Sequence, residues 1–232
     1  MNWDQIVKKV TPHIVKIETP DGHGTGFLSL YNHDKTWCGV ATAAHVVSHA
    51  DEWQQPIKII HSGSNETVFL KSSERTIFID WRTDSAVVLF LKSNLQLPEF
   101  LITLFPVGTP LDIGAEVGWL GFPAMEPSTL CFFSGTVSAR QEFRNAYLVD
   151  GVSINGVSGG PVLYSTEADG IRVVGTVSAY RANRATGEAL PGLLIAQDVS
   201  HFHDVANHIR SIDEANKKKK EFEAAQSTIE QN

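Results

Sequence analysis

A serine set among glycines, in the stretch GVSGGPV at residues 156–162, is the best-placed nucleophile in this chain. Flanking glycines let the backbone turn sharply and leave the hydroxyl uncrowded, as an attacking oxygen requires. The pattern G-x-S-x-G decides little by itself, since ordinary glycine and serine usage yields it in roughly one chain in ten of this length. A serine hydroxyl is a weak nucleophile at neutral pH and needs a base beside it. Two other stretches carry the residue types for that task. ATAAHVV offers His45 after an apolar run, and DWRTDSAVVLF offers Asp84 just before one. An imidazole can take the proton of Ser158, and a carboxylate can hold that imidazole in the matching tautomer.

Each candidate also has a plainer reading. Glycine-rich turns are common, and a lone histidine at the end of an apolar strand usually serves structure. Asp80, four residues before Asp84, is the competing acid. His49 follows His45 by four residues, a spacing that suits a helical metal pair, yet no carboxylate or third histidine accompanies it at ligand spacing. No metal is expected. GHGTG at 22–26 has the composition of a phosphate loop but leads into a strand rather than a helix, which argues against nucleotide binding. His201, His203 and His208 decorate a C-terminal helical pattern.

The elements that must position these residues are mostly strands. PHIVKIET, GTGFLSLY, WCGVATAAHVV, PIKIIHS, TVFLKSS, RTIFIDW and SAVVLFLK are short, rich in β-branched or aromatic residues, and often alternating. A looser stretch, LFPVGTPLDIGAE, separates them from a second set: VGWLGFPA, TLCFFSGTVSAR, AYLVDG, GPVLYST, IRVVGTVSAY and LLIAQDV. Two strand-rich halves predict two small antiparallel barrels or one large sandwich. Near the end, Val199, Phe202, Val205, Ala206, Ile209 and Ile212 recur at spacings of three and four, which predicts a helix of about four turns. Beyond it the chain is polar, and Lys217 to Lys220 read as a solvated charge run.

This layout discriminates between the two hydrolase types that use such a serine. An α/β-hydrolase elbow joins a strand to a helix within a parallel sheet, with Asp198 and His201 able to complete the order serine, acid, histidine. After Ser158, however, the chain runs through PVLYST and a turn at EADG into another strand. The crossover helices are missing, and the order His45, Asp84, Ser158 across two β-rich halves fits the other type.

With these motifs in that order, the chain resembles a trypsin-like peptidase of the chymotrypsin fold. It is most similar to the bacterial high-temperature-requirement branch. VTPHIVKIETPDGHGTGFL resembles that branch's opening strands, TAAHVV its histidine motif and RTDSAVVLF its aspartate motif. VGWLGFPAMEPSTLCFFSGTVSA resembles the first hairpin of its second barrel, and VGTVSAY the strand that receives substrate. The resemblance runs from about residue 10 to residue 200. It implies an all-β fold of two antiparallel six-stranded barrels, at about 10–105 and 114–200 within a peptidase domain of 1–200, followed by a helix and polar tail at 201–232. It also implies a serine endopeptidase with no cofactor. Ser158 would be the nucleophile, His45 the general base and Asp84 its orienting partner, with the Gly156 and Ser158 N–H groups as oxyanion hole. Ser178 would hydrogen-bond the catalytic aspartate, while Ser178, Ala179 and Tyr180 would pair with an extended polypeptide substrate. Val152 and Ser153 would floor the primary pocket, and Tyr180 stands where a glycine is usual. Val157 replaces the asparagine or aspartate usual before the nucleophile, and the thirty or so residues after the peptidase domain are too few for a PDZ domain, so none is expected there. The competing reading is a catalytically silent or conditionally activated module on the same fold, serving as a binding or effector unit.

Composition sets further limits. The chain has 232 residues, 42% of them hydrophobic, and a net charge of −7. An acidic chain lacks the basic footprint of a nucleic-acid binder. No run is long and apolar enough to span a membrane, so no membrane partner is expected. Two cysteines, Cys38 and Cys131, make no disulfide framework. The opening MNWDQIVKKV has no apolar core after a basic start, so the expected location is the cytoplasm, or the periplasm or exterior if a leader has been removed. A regulatory protein partner or a homo-oligomer remains compatible with all of this.

Overall fold

Branched and aromatic side chains pack well on a pleated surface, and the runs that carry them are extended here. The computed structural model describes residues 2–152, 154–168, 170–182 and 189–229, with side chains for all of these except 180–182, 189–192 and 224–229. The first sheet contains β1 (Ile14–Thr19), β2 (Gly22–Tyr31), β3 (Trp37–Ala43), β4 (Ile57–His61), β5 (Thr67–Leu70), β6 (Arg75–Asp80) and β7 (Ser85–Leu91). They lie in the order β5-β4-β1-β2-β3-β7-β6, every neighbour antiparallel. The second contains β8 (Thr103–Leu104), β9 (Glu116–Gly121), β10 (Cys131–Gln141), β11 (Ala146–Asp150), β12 (Pro161–Thr166), β13 (Gly170–Ala182) and β14 (Ala189–Asp198). Its order is β12-β9-β10-β11-β14-β13-β8, and β12 also pairs with β13. That extra pairing closes six antiparallel strands into a barrel, with β8 added parallel to β13.

The all-β fold of two antiparallel halves is therefore present, with a refinement of strand counts. The second half is a closed six-stranded barrel. The first is a seven-stranded sheet whose end strands β5 and β6 are joined by a short 3-10 turn, Ser72–Glu74.

Among the described residues three α-helices complete the chain: α1 (Trp3–Val10), α2 (Ala44–Glu52) and α3 (Ser200–Ile229). The run WCGVATAAHVV does not stay extended to its end. Pairing of β3 with β7 stops at Ala43 opposite Ser85, and the Ala44 N–H then bonds the Asp84 carbonyl as α2 begins. His45 thus sits in the first turn of a helix rather than at the end of a strand. The α3 helix is thirty residues long, well beyond the four turns its apolar stripe defines. Val199, Phe202, Val205 and Ile209 are buried, whereas Ile212 is largely exposed. Past that point helix-favouring Lys, Glu and Ala residues sustain the helix, with a Lys219–Glu223 pair one turn apart. Phe202 meets Phe27 of β2 edge-on at 5.9 Å, and a buried cluster including Ile6, Val10, Leu120 and Leu163 surrounds them. Burying such an aromatic side chain stabilises the fold by about 1.5–3 kcal/mol. This cluster joins residues from both halves and from α1 and α3, and so sets how the two halves face each other.

Candidate active site

The first half supplies two side chains. Its hairpin from β6 to β7 turns through Trp81–Asp84, and Asp80 shapes that turn by accepting hydrogen bonds from the Arg82 N–H and the Thr83 hydroxyl, both at 2.9 Å. Burial alone would raise the Asp80 carboxyl; the Thr83 and Arg82 hydrogen bonds and the Arg82 charge outweigh it and hold the group below its ordinary value. Asp80 is thereby committed to the hairpin. Asp84 has a different role. Its backbone takes the left-handed conformation, φ +47°, which a non-glycine residue adopts only under constraint. In that pose one carboxylate oxygen accepts the His45 backbone N–H at 3.0 Å and the other lies 2.8 Å from His45 Nδ1. The Ser178 hydroxyl donates to that second oxygen at 2.5 Å. Nδ1 therefore carries the proton, and the lone pair of Nε2 is left outward. His49, one turn along α2, pairs with Asp21 and lies beside the Trp53 ring.

The second half supplies a loop. Ile154, Asn155, Gly156 and Val157 form a turn closed by a 3.1 Å bond from the Val157 N–H to the Ile154 carbonyl. Gly156 has φ +90°, the value the third residue of a type II turn needs. A β-carbon there would collide with the Phe122 carbonyl oxygen and lie 2.7 Å from His23 Nε2, so only glycine fits. The Asn155 carbonyl accepts from the Ala124 N–H at 2.6 Å. Because C=O and N–H point to opposite sides of a trans peptide, the Gly156 N–H faces away from Ala124. Val157 is 1% exposed and packs into the core of the second barrel.

The two walls meet at a cleft of about 430 Å³ lined by His45, Asp84, Ile154, Asn155, Ser158, Ser178 and Ala179. Among the described residues no direct hydrogen bond joins His45 to Ser158. A bulge in the β13–β14 pairing between Val177 and Ala179 re-aims Ser178 towards Asp84. On the other side of β13, pairing with β12 stops at Thr176, and Val177 is bonded to Gly159 and Gly160. Among the described residues the edge from Ser178 onwards therefore has no strand partner on the cleft side. A larger hollow, about 1070 Å³, lies between the β2–β3 hairpin and α3 and contains none of these residues.

Of the residues singled out from sequence, His45, Asp84, Ser158, Ser178 and Ala179 converge, and Gly156 lies in the turn just before the nucleophile. Val152 stands outside the cleft lining, half exposed, and Ile154 lines the cleft instead. Ser153 and the side chain of Tyr180 lie outside the described residues. Cys38, the other strong nucleophile type, is wholly buried, and burial pushes its thiol up to about 12, so it is not a competing centre. Among the described residues no group of three or more His, Cys, Asp or Glu is placed to hold a metal ion, and no helix is long and apolar enough to cross a membrane. Thr25, in the GHGTG stretch, is a site residue that the residue pattern does not mark. It is fully buried, its hydroxyl donates to the Gly156 carbonyl at 2.8 Å, and its N–H donates to the Ser158 carbonyl at 2.8 Å.

A sequence model of the trypsin-like peptidase domain matches residues 24–175. None of the curated proteins matches this chain. Among solved structures, the serine endoprotease from Yersinia pestis is similar with a TM-score of 0.63 at 20% identity, over 90% of this chain and 66% of that one. A mutant of Rv3671c from M. tuberculosis, in an inactive form, is similar with a TM-score of 0.58 at 19% identity, over 88% of this chain and 89% of that one. Both likenesses concern the fold.

Proposed function

The chain belongs to the trypsin-like peptidase domain family, and on that footing we propose that it is a serine endopeptidase whose nucleophile is Ser158. The observation that carries this reading is the 2.8 Å contact between His45 Nδ1 and an Asp84 carboxylate in the cleft that also holds Ser158. His45 Nε2 takes the Ser158 proton as Oγ attacks the scissile carbonyl, forming an acyl-enzyme, and returns it to the leaving amine. Asp84 holds the ring in the productive tautomer and stabilises the imidazolium. The Gly156 and Ser158 N–H groups receive the developing oxyanion, worth about 10²–10³ in rate per donor in enzymes of this chemistry. The bond from the Ser158 hydroxyl to His45 Nε2 is expected to tighten as substrate binds. The open edge at Ser178–Tyr180 takes an extended polypeptide by strand addition.

A fluorophosphonate probe tests the reading, because it phosphonylates only an activated serine. The native protein labels at Ser158, and Ser158→Ala abolishes both labelling and peptide hydrolysis without loss of fold. A silent effector module on the same fold would leave the native protein unlabelled. Ile154 and Ala179 line the cleft, and the one carboxylate among its described lining residues is committed to His45 and Ser178. We therefore expect small or medium apolar residues such as Ala or Val before the cut. A peptide-library profile dominated by Lys, Arg or Trp at that position would contradict it.

A further inference from the structure

Five successive carbonyls, from Ile154 to Ser158, each accept a hydrogen bond. The donors are the Val157 N–H at 3.1 Å, the Ala124 N–H at 2.6 Å, the Thr25 hydroxyl at 2.8 Å, the Gly160 N–H at 3.0 Å and the Thr25 N–H at 2.8 Å, in that order. Fixing a carbonyl fixes the N–H of the same peptide plane on its opposite side. The Asn155 and Val157 carbonyls thus aim the Gly156 and Ser158 N–H groups, the two donors assigned to the oxyanion. Between them lies the Gly156 carbonyl, and it alone of the five is held by a side chain.

That side chain comes from the other half of the molecule, 131 residues away in sequence. Thr25 is 0% exposed, and its polar atoms are all engaged. Its hydroxyl also accepts from the Phe122 N–H at 3.0 Å, which leaves its single proton to the Gly156 carbonyl. Its own carbonyl accepts from the Thr42 hydroxyl at 2.7 Å, tying it to the strand that leads to His45. Ala124, whose N–H holds the Asn155 carbonyl, lies two residues beyond Phe122. One hydroxyl therefore spans both the turn and the segment that braces it. We infer that Thr25 is a positioning residue that locks the oxyanion turn in its donor-ready form without an activating cleavage or ligand. The inference rests on the reading of Gly156 and Ser158 as oxyanion donors. In Thr25→Val the shape is kept but the Gly156 carbonyl and the Phe122 N–H lose their partner, so the middle peptide is held only by the 3.1 Å bond from the Val157 N–H to the Ile154 carbonyl and can turn more easily, taking its neighbours with it.

The test uses the full chain and two readouts. Fluorophosphonate labelling of Ser158 gives a maximal inactivation rate, an apparent probe affinity and an endpoint. Hydrogen exchange measured by mass spectrometry reports on the 154–160 segment. Thr25→Val and Thr25→Ala are expected to lower the maximal rate about 10- to 100-fold, with affinity little changed and the endpoint still complete. Exchange at 154–160 should rise in the same two variants. Thr25→Ser, which keeps the hydroxyl, should stay within about threefold of the native rate and protect the loop. A merely structural role would lower the endpoint and leave the rate of the folded fraction alone. If Thr25→Val does not fold, Thr25→Ala carries the comparison. The inference is overturned if the folded variants label at the native rate, if Thr25→Ser is as slow as Thr25→Val, or if exchange at 154–160 is unmoved. Failure of the native protein to label would sink the peptidase reading, and the exchange readout would still decide the role of Thr25.

Discussion

The two walls of the cleft are built by different means. On the first, side chains do the positioning: Asp84 grips both the ring and the backbone of His45, and Asp80 ties the hairpin that presents Asp84. The buried Arg75 guanidinium, bonded to the carbonyls of Leu70, Ala50 and Gln55, fastens the end of α2 to the strands beneath. On the second wall the proposed reading adds to the Ser158 hydroxyl two backbone N–H donors, whose aim depends on the orientation of peptide planes. A side-chain wall fails by losing a functional group. A backbone wall fails by gaining an atom where none fits, or by losing a bond that fixes a peptide plane.

The largest expected difference concerns the two aspartates of the first wall. Asp84→Asn should lower turnover by about 10⁴-fold, because an amide facing Nδ1 favours the wrong tautomer and cannot stabilise the imidazolium. Asp80→Asn should change turnover little, since its amide oxygen still accepts the Arg82 N–H. Steady-state rates of the two variants on one peptide decide this. If Asp80→Asn is the crippling change, the acid has been misassigned and the contrast between hairpin brace and orienting group falls with it.

For the second wall the corresponding experiment adds a methyl group. In Gly156→Ala the new carbon must displace the Phe122 carbonyl and hold φ near +90°. Relief comes most easily by rotating the 155–156 peptide, which turns an oxyanion donor away. Turnover should fall about 10²–10³-fold, with the melting temperature lowered only modestly. A Gly156→Ala variant that retains full turnover would show that the peptide plane is not the working part of this wall.

The same division governs how much of the site is legible in the sequence. His45, Asp84 and Ser158 are legible because their chemistry resides in residue type, and their order separates one hydrolase fold from another. Choosing Asp84 over Asp80 by hydrogen bonding needs the hairpin, whose left-handed residue no local pattern marks. The start of α2 at Ala44 is hidden because AAHVV suits a strand as well as a helix, and only the end of pairing with Ser85 decides. Thr25 is silent for a related reason. Threonine in a glycine-rich strand carries no chemical signal, and its role comes entirely from facing Gly156 across the two halves. Counting along a loop does not fix which residues turn inward: Ile154 lines the cleft, whereas Val152 is half exposed and outside that lining. The distal half of α3 lacks the apolar stripe that marks a packed helix, and its helicity rests on propensity and pairs such as Lys219–Glu223.

The smallest expected effect is none. In digestive relatives a freed N-terminal ammonium pairs with an aspartate before the nucleophile and so shapes the oxyanion hole. Here that position is Val157, buried in apolar surroundings and offering no charge. The described N-terminal segment is engaged elsewhere. Trp3 Nε1 donates to Glu116 at 2.6 Å, its ring lies 5.2 Å from Phe132, and Ile6 and Val10 are buried in the cluster between the halves. These contacts hold α1 against β9 and β10, and the turn before Ser158 is braced by Ala124 and Thr25 instead. Protein carrying an uncleaved N-terminal extension should therefore label with fluorophosphonate as fast as protein without one. Labelling that begins only after residues near the N-terminus are removed would mean that the second wall depends on a freed terminus, and that its hydrogen-bonded carbonyls do not suffice to hold it.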